Sequence, residues 1–552
     1  MFVLLAALPI IVVVFLMLVL MWPSSKAMPV GYLTAAIIAF SGWRMPFRWV
    51  MAATVAGVIN ALDILIIVFG ALLILQLMKK SGGIARISSN MATISADRRI
   101  QVVIIAWFMG SFLEGAAGFG TPAAIGAPLL VGMGFPPFIA AIVTLLADSA
   151  AVIFGGVGVP LWGGFDGIEV LGRWPVETAA GLLSFREFLV NVGVFAATVN
   201  LVVGSFIPLV IVCIMAKISE GSFSGGLKIW PILLLAGFFF TLPQFLIAVF
   251  IGPELPSLLG SLTGLFAFIL LVKSKFLAPR KTWDFPPHKD WPSEWEGIIK
   301  AGEHIKLGEE KKIGTWRAWM PYILIGILLV SGRVEFFGFT SVLRSVTIQW
   351  TNIFGTTIER GIMPFYNPGI FPFLIVALFI PLIHHLHWKS ASRAWVEVLR
   401  MIQPATLALV FALGMVYIMI NTGEPSGRDS MLIVIAKAAA HYTGAIWYMV
   451  SPLVGVLGAF VAGSATVSNI MFGTFQYSTA QNAGLPVIPV LALQSIGGAA
   501  GNVICIHNIV AVLTTVGLVG REGHLIKWNI LVALFYALSG GIVGWLLAVN
   551  LW

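Results

Sequence analysis

The chain has 552 residues, 59% of them hydrophobic and only 10% charged, with a mean hydropathy of +1.00. Soluble chains carry about 25% charged residues, so the composition excludes a string of soluble domains and indicates an all-α polytopic membrane protein. The net charge of +9 fits a Lys/Arg excess in loops on one side of a membrane; no basic run with interleaved aromatics points to nucleic acid.

Residues 2–21 read as a first span rather than a signal peptide, because no Lys or Arg precedes them and no small-residue cleavage site follows. A short second span covers 28–42, and a long third one, 49–78, contains Asp63 and ends at Lys79 and Lys80. Residues 82–97 are mixed in character and belong at the interface. Residues 100–133 carry Gly115, Gly118, Gly120 and Pro122, too many breakers for one helix. They predict a re-entrant hairpin with its turn at 118–122. Residues 137–165 predict a span broken near 148–158, followed by a polar loop over 166–185 that holds Asp166, Glu169, Arg173 and Glu177. Further spans are expected at 186–216, 229–251 and 256–272. Residues 273–318, with Lys273, Lys275, Arg280, Lys281, Lys311, Lys312 and Arg317, read as a cytoplasmic connector between two halves, 1–272 and 319–552. A span begins near Trp319, and 333–366 lie on the membrane surface. Spans follow at 369–388 and 401–421. A second hairpin is expected at 445–482, a second broken span at 485–519 and a last span at 527–550.

The two halves align by eye. GSFLEGAAG (110–118) lies on GAFVAGSAT (458–466), GFPP (134–137) on GLPV (484–487), and DSAAVIFG (148–155) near GNVICIHN (501–508). Placing Lys79, Lys80, Arg98 and Arg99 in the cytoplasm sends most other cationic loops there too, with Arg44 and Arg48 as exceptions. The first hairpin then enters from inside and the second from outside. That is an inverted repeat of about twelve spans and two hairpins, with both termini outside.

Interrupted segments in corresponding places of two halves point to a transporter's binding site. Helix ends brought to mid-membrane offer free N–H groups and a positive dipole end, which hold a small carboxylate without a fixed cation. The substrate-binding candidates are Gly118, Gly120 and Thr121 at the first tip, Ser464, Thr466, Ser468 and Asn469 at the second, and Ser149, Asn502, His507 and Asn508 in the broken spans. Each hydroxyl has helix packing as its competing explanation, and each glycine a tight turn. Glu114 and Asp148 are the leading proton-coupling candidates, with Asp63 third. Desolvation favours the neutral form of a carboxyl, so such a group can load and release a proton. The alternative role is capping a broken helix.

The His384, His385 and His387 group beside Trp388 reads as an interfacial anchor rather than a metal site. Cys213 and Cys505 lie in apolar segments and indicate neither a disulfide framework nor a metal site. No cofactor is implied. The absence of a nucleotide-binding loop argues against an ATP-driven pump. No nucleophile–base pair stands at a recognisable spacing, which argues against an enzyme.

FLEGAAGFGTPAAI (112–125), GFPP (134–137), FIGPELPSLLGSL (250–262), VAGSATVSN (461–469), GNVICIHNIVAV (501–512) and VGLVGRE (516–522) resemble the bacterial L-lactate permease family, in order and across both halves. The resemblance implies a bacterial inner-membrane symporter that takes up lactate or glycolate with protons, and an elevator-type, inverted-repeat fold. It also marks two departures: Asp148 stands where the family commonly has Asn, and Ala465 where it commonly has Asp. The alternatives are a cation/proton antiporter, with Na⁺ as the ion, and a symporter of another small organic anion or sulfonate. The sequence leaves the oligomeric state open.

Overall fold

The computed structural model describes residues 2–20, 22–118, 120–169, 176–178, 181–274, 276–277, 279, 281–297, 301–302, 313–333, 338–367, 369–518 and 521–551. Arg173, Lys275, Arg280, Lys311 and Lys312 lie outside them, as does the side chain of Glu177.

The expected all-α polytopic architecture is present. In the first part of the chain, α1 (Phe2–Leu18), α2 (Ser24–Ser41) and α3 (Phe47–Lys80) are followed by the short α4 (Gly83–Ala92). The first hairpin consists of α5 (Arg98–Ala117), which includes a π-helical stretch over Val103–Met109, and α6 (Thr121–Gly132). The first broken helix consists of α7 (Pro137–Ala147) and α8 (Gly155–Trp162), with a 60° bend between the two parts. A single helical turn, α9 (Asp166–Glu169), closes it. A strand pair, β1 (Val176–Thr178) and β2 (Gly181–Leu183), then leads into α10 (Phe185–Glu220), α11 (Trp230–Phe250) and α12 (Pro256–Lys273).

The second part opens with α13 (Thr315–Arg333) and α14 (Phe339–Arg344), then an antiparallel pair, β3 (Ile348–Trp350) with β4 (Arg360–Ile362). Next come α15 (Gly369–Ile383), α16 (Trp388–Met401), α17 (Gln403–Ser426) and α18 (Met431–Thr443). The second hairpin is α19 (Trp447–Ala462) and α20 (Ala465–Ala483), the second broken helix α21 (Val487–Asn502) and α22 (Ile506–Val516), and the last helix α23 (Glu522–Leu551).

Eight helices among the described residues are long and apolar enough to cross a membrane, and the bent α7–α8 pair makes a ninth. The difference from about twelve has a simple cause. α1, α15 and other segments are apolar but shorter than a full span, and α5 counts as a span by composition although it is one arm of a hairpin.

Two details depart from the expected plan. The 166–185 stretch is not only a loop, since it opens with the buried turn α9. Connector residues 281–297 also pack closely. Trp283 N–H donates to Asp97 Oδ2 (3.1 Å), Arg98 pairs with Asp284 (2.9 Å), and Trp295 is buried with its carbonyl accepting from Phe138 N–H (3.2 Å).

Breaking helices inside a membrane leaves backbone groups that something must satisfy. At the first break the caps come from distant helices. The Ala150 carbonyl accepts from Asn200 Nδ2 (3.2 Å) and Gln244 Nε2 (3.3 Å), and the Ala151 carbonyl from Ser257 Oγ (2.6 Å). Beyond it, Pro160 O accepts from Asn469 Nδ2 (2.7 Å), which ties α8 to the second hairpin. At the second break, Val503 O accepts from Asn529 Nδ2 (2.8 Å).

The FIGPELPSLLGSL stretch is the wall of this core. A Cβ at Gly115 would collide with the Leu258 backbone, and one at Gly158 with the Pro253 carbonyl. Glycine lets both surfaces close to backbone contact.

Candidate functional site

Both hairpins turn at glycines in the left-handed region, Gly118 (φ +65°) and Gly120 (φ +68°) in the first and Gly463 (φ +78°) in the second. Only glycine takes that conformation without strain. The first broken helix goes further: Gly156, Val157 and Gly158 are all left-handed (φ +49°, +60° and +76°). Val157 is β-branched and costs energy there. Trp162 Nε1 donates to its carbonyl (3.0 Å) and helps hold it. The result is a tight turn whose start, Gly155–Gly156, faces the hairpin tips.

A void of about 20 Å³ lies where these pieces meet, lined by Glu114, Gly118, Gly155, Gly156, Pro160, Gly463, Ser464, Ala465, Thr466 and Asn502, among others. It has room for about one water molecule and none for an organic acid. Gly155 is required beside it, because a Cβ there would collide with Glu114 Oε1.

Glu114 and Asp148 sit together at 3% and 2% exposure. Their carboxyl groups are close enough for each to act on the other's charge. Asn502 Nδ2 donates to Asp148 Oδ2 (3.1 Å), and Asn508 Nδ2 donates to Asn502 Oδ1 (2.9 Å). Gly120 packs directly on the Asn508 amide. Glu114 Oε2 and Asp148 Oδ1 are buried and meet no donor among the described residues.

The structure thus brings together Glu114, Asp148, Gly118, Gly120, Ser464, Thr466, Asn502 and Asn508. Three other candidates are occupied with packing. Ser149 Oγ donates to Leu146 O (2.9 Å), Ser468 Oγ to Gly455 O (2.9 Å), and Asn469 is committed to Pro160. The Thr121 side chain lies outside the described residues. His507 is exposed at the start of α22, where two cavities of about 400 and 250 Å³ both reach Gly463. Asp63 is elsewhere; its Oδ1 accepts from Asn367 Nδ2 (2.7 Å) beside a separate cavity.

One cluster had no sequence signal. Arg360 on β4 grips Asp166 with both terminal nitrogens (2.8 Å each), while Tyr417 Oη (3.0 Å) and Asn60 Nδ2 (2.7 Å) donate to the same carboxylate. Its members are up to 357 positions apart in the chain, so no local spacing could reveal them.

The model of the family described as L-lactate permease matches residues 2–551. The chain belongs to the L-lactate permease family. It is 30% identical to the L-lactate permease of Bacillus subtilis, over 91% of this chain and 88% of that one. It is 27% identical to a glycolate permease of Escherichia coli, over 98% and 94%. Among solved structures, Neisseria gonorrhoeae MtrF, titled as one of a class of antimetabolite efflux pumps, is similar with a TM-score of 0.43 and 14% identity, over 88% of this chain and 81% of that one. Membership of a permease family agrees with the multi-pass membrane architecture.

Proposed function

We propose that the chain is a proton-coupled symporter of L-lactate or a related small 2-hydroxy monocarboxylate such as glycolate, acting in a bacterial inner membrane. The observation that carries this reading is the Glu114–Asp148 pair, buried beside the void between the two hairpin tips. Two carboxylates side by side in dry protein cannot both be ionised. One proton shared by the pair would titrate as a property of the pair.

The substrate carboxylate is held by N–H groups of the tips and by Ser464, Thr466 and the Asn502 amide, with the proton on the acidic pair beside it. A substrate–proton pair crosses more easily than a bare anion, since an unpaired buried charge is costly. The void is too small for substrate, so binding and release need an alternate arrangement in which the tips separate. The two halves, 1–272 and 319–552, are read as inverted repeats with both termini outside. Their hairpins and broken helices move as a unit against the flanking helices, in an elevator-like cycle. The cavities that reach Gly463 and His507 support a path to one face.

The orphan oxygens Glu114 Oε2 and Asp148 Oδ1 support a second reading, in which Na⁺ takes the place of the proton. Radiolabelled L-lactate uptake into proteoliposomes separates the two. Accumulation driven by an inward proton gradient alone supports the first. Accumulation only with inward sodium supports Na⁺ coupling, and none under either gradient overturns lactate as substrate.

A further inference from the structure

The family and the void account for the hairpin tips, but not for a cavity of about 450 Å³ at the far end of α8. Trp162, the last residue of α8, lines this cavity, whereas Gly155 and Gly156 at its start line the void. The void runs along α8 as far as Pro160, and no residue lines both spaces. Four acids face the cavity, and each is engaged. Asp166 is held by Arg360, Glu169 lies 3.9 Å from Arg360, Glu254 lies 3.9 Å from Arg186, and Asp63 accepts from Asn367.

The arginines are in a different condition. Arg344 lines the cavity with no acid within ion-pair distance among the described residues. Its guanidinium stacks on the Tyr366 ring (4.6 Å to the centroid) and donates one Nη2 hydrogen bond to Tyr366 Oη (3.1 Å). Arg186 Nη2 is buried and makes no hydrogen bond among the described residues, although it lies 3.9 Å from Glu254 Oε1. A guanidinium with donors to spare takes an acceptor, and its planar fork fits a carboxylate edge on. A cavity of this size holds a small organic ligand.

We infer that this cavity is a docking site for a small monocarboxylate, separate from the void between the tips, with Arg344 as its principal cation and Arg186 as the second donor. It gathers substrate on the membrane face where the cavity opens, before the tips part. The inference rests on the monocarboxylate reading above.

Two experiments test it. The first measures L-lactate transport in vesicles of both orientations for the wild type, R344K and R344Q. R344Q is expected to raise the half-saturating concentration about tenfold on one face only, the loss of one charge-assisted contact, and R344K less. Unchanged half-saturation on both faces, or an equal rise on both, overturns the dock. The second needs no transport. M363C, at the cavity wall, is introduced after Cys213→Ala and Cys505→Ala and labelled with anionic and cationic methanethiosulfonates. The docking site predicts that the anionic reagent reacts several-fold faster with Arg344 present than in R344Q, and that L-lactate or acetate slows it. Rates indifferent to both changes overturn the dock. A wild type that moves no lactate but shows this protection would overturn the symport reading and leave the dock standing.

Discussion

The two broken helices do the same geometric task with different chemistry. The first, between α7 and α8, is buried and heavily braced. Asn200, Gln244 and Ser257 cap its carbonyls, a left-handed turn runs through Val157, and Asp148 meets Glu114 beside it. The second, between α21 and α22, carries amides instead of acids, with Asn529 on the Val503 carbonyl and Asn508 more loosely on the Asn502 carbonyl (3.4 Å), and an exposed His507 next to open cavities. Under the proposed symport this contrast is a division of labour, in which the first break holds the proton and the second admits the substrate.

The largest expected effect comes from closing the space around the acids. G155A places a methyl on Glu114 and should cut L-lactate uptake about a hundredfold, the scale of a catalytic group displaced by an ångström. G463A at the second tip meets only ordinary contacts, 3.4 Å to His507 Cβ. It carries a backbone strain of about 1 kcal/mol and should leave uptake within a few-fold of normal. Initial rates normalised to folded protein check both. If G463A proves as damaging as G155A, the division of labour fails.

Next in size is D148N, which leaves Asn502 a neighbour but removes half of the pair. Downhill exchange should persist while the steep response of uptake to the pH gradient is lost. A D148N protein with the wild-type response would confine the proton to Glu114.

A smaller effect, on stability, separates the braces. N200L strips one of two donors from the Ala150 carbonyl and also leaves Gln244 Oε1 and the Tyr536 hydroxyl without the Asn200 partner. It should cost about 1–3 kcal/mol, read as a lower Tm in detergent. N529L orphans only the Val503 carbonyl, and it also removes an oxygen, Asn529 Oδ1, that is already unsatisfied. Its Tm should fall less, and the reverse order would contradict the bracing account. The smallest effect is expected of H507A, which should change uptake only a few-fold because the ring faces open space.

The plan of the fold was legible because membrane helices are interrupted only for a reason. The glycines and prolines of 115–122 and 458–466 marked both tips, and the hairpins turn there. Glu114 and Asp148 stood out for the same cause, as ionisable groups in apolar sequence. Their contact, and that of Asp148 with Asn502 some 354 positions away, was not readable, because it depends on how distant elements pack. The caps on the first break come from α10, α11 and α12 and look like ordinary polar residues within spans. FIGPELPSLLGSL was visible as a family signature, but its role as the surface against which Gly115 and Gly158 close needed three dimensions. Ser149, Ser468 and Asn469 matched the pattern of ligand-binding residues, yet Ser149 caps the end of its own helix at Leu146, and Ser468 and Asn469 tie α20 to α19 and α8.

The most direct test of the central claim follows proton movement with L-lactate in proteoliposomes that carry a trapped pH indicator, comparing wild type with E114Q and subtracting protein-free vesicles. Lactate–lactate exchange is measured in parallel. The account predicts that wild type moves protons with lactate, whereas E114Q keeps exchange and loses proton movement. An E114Q protein that still carries protons with lactate would show that the buried pair is not the coupling site.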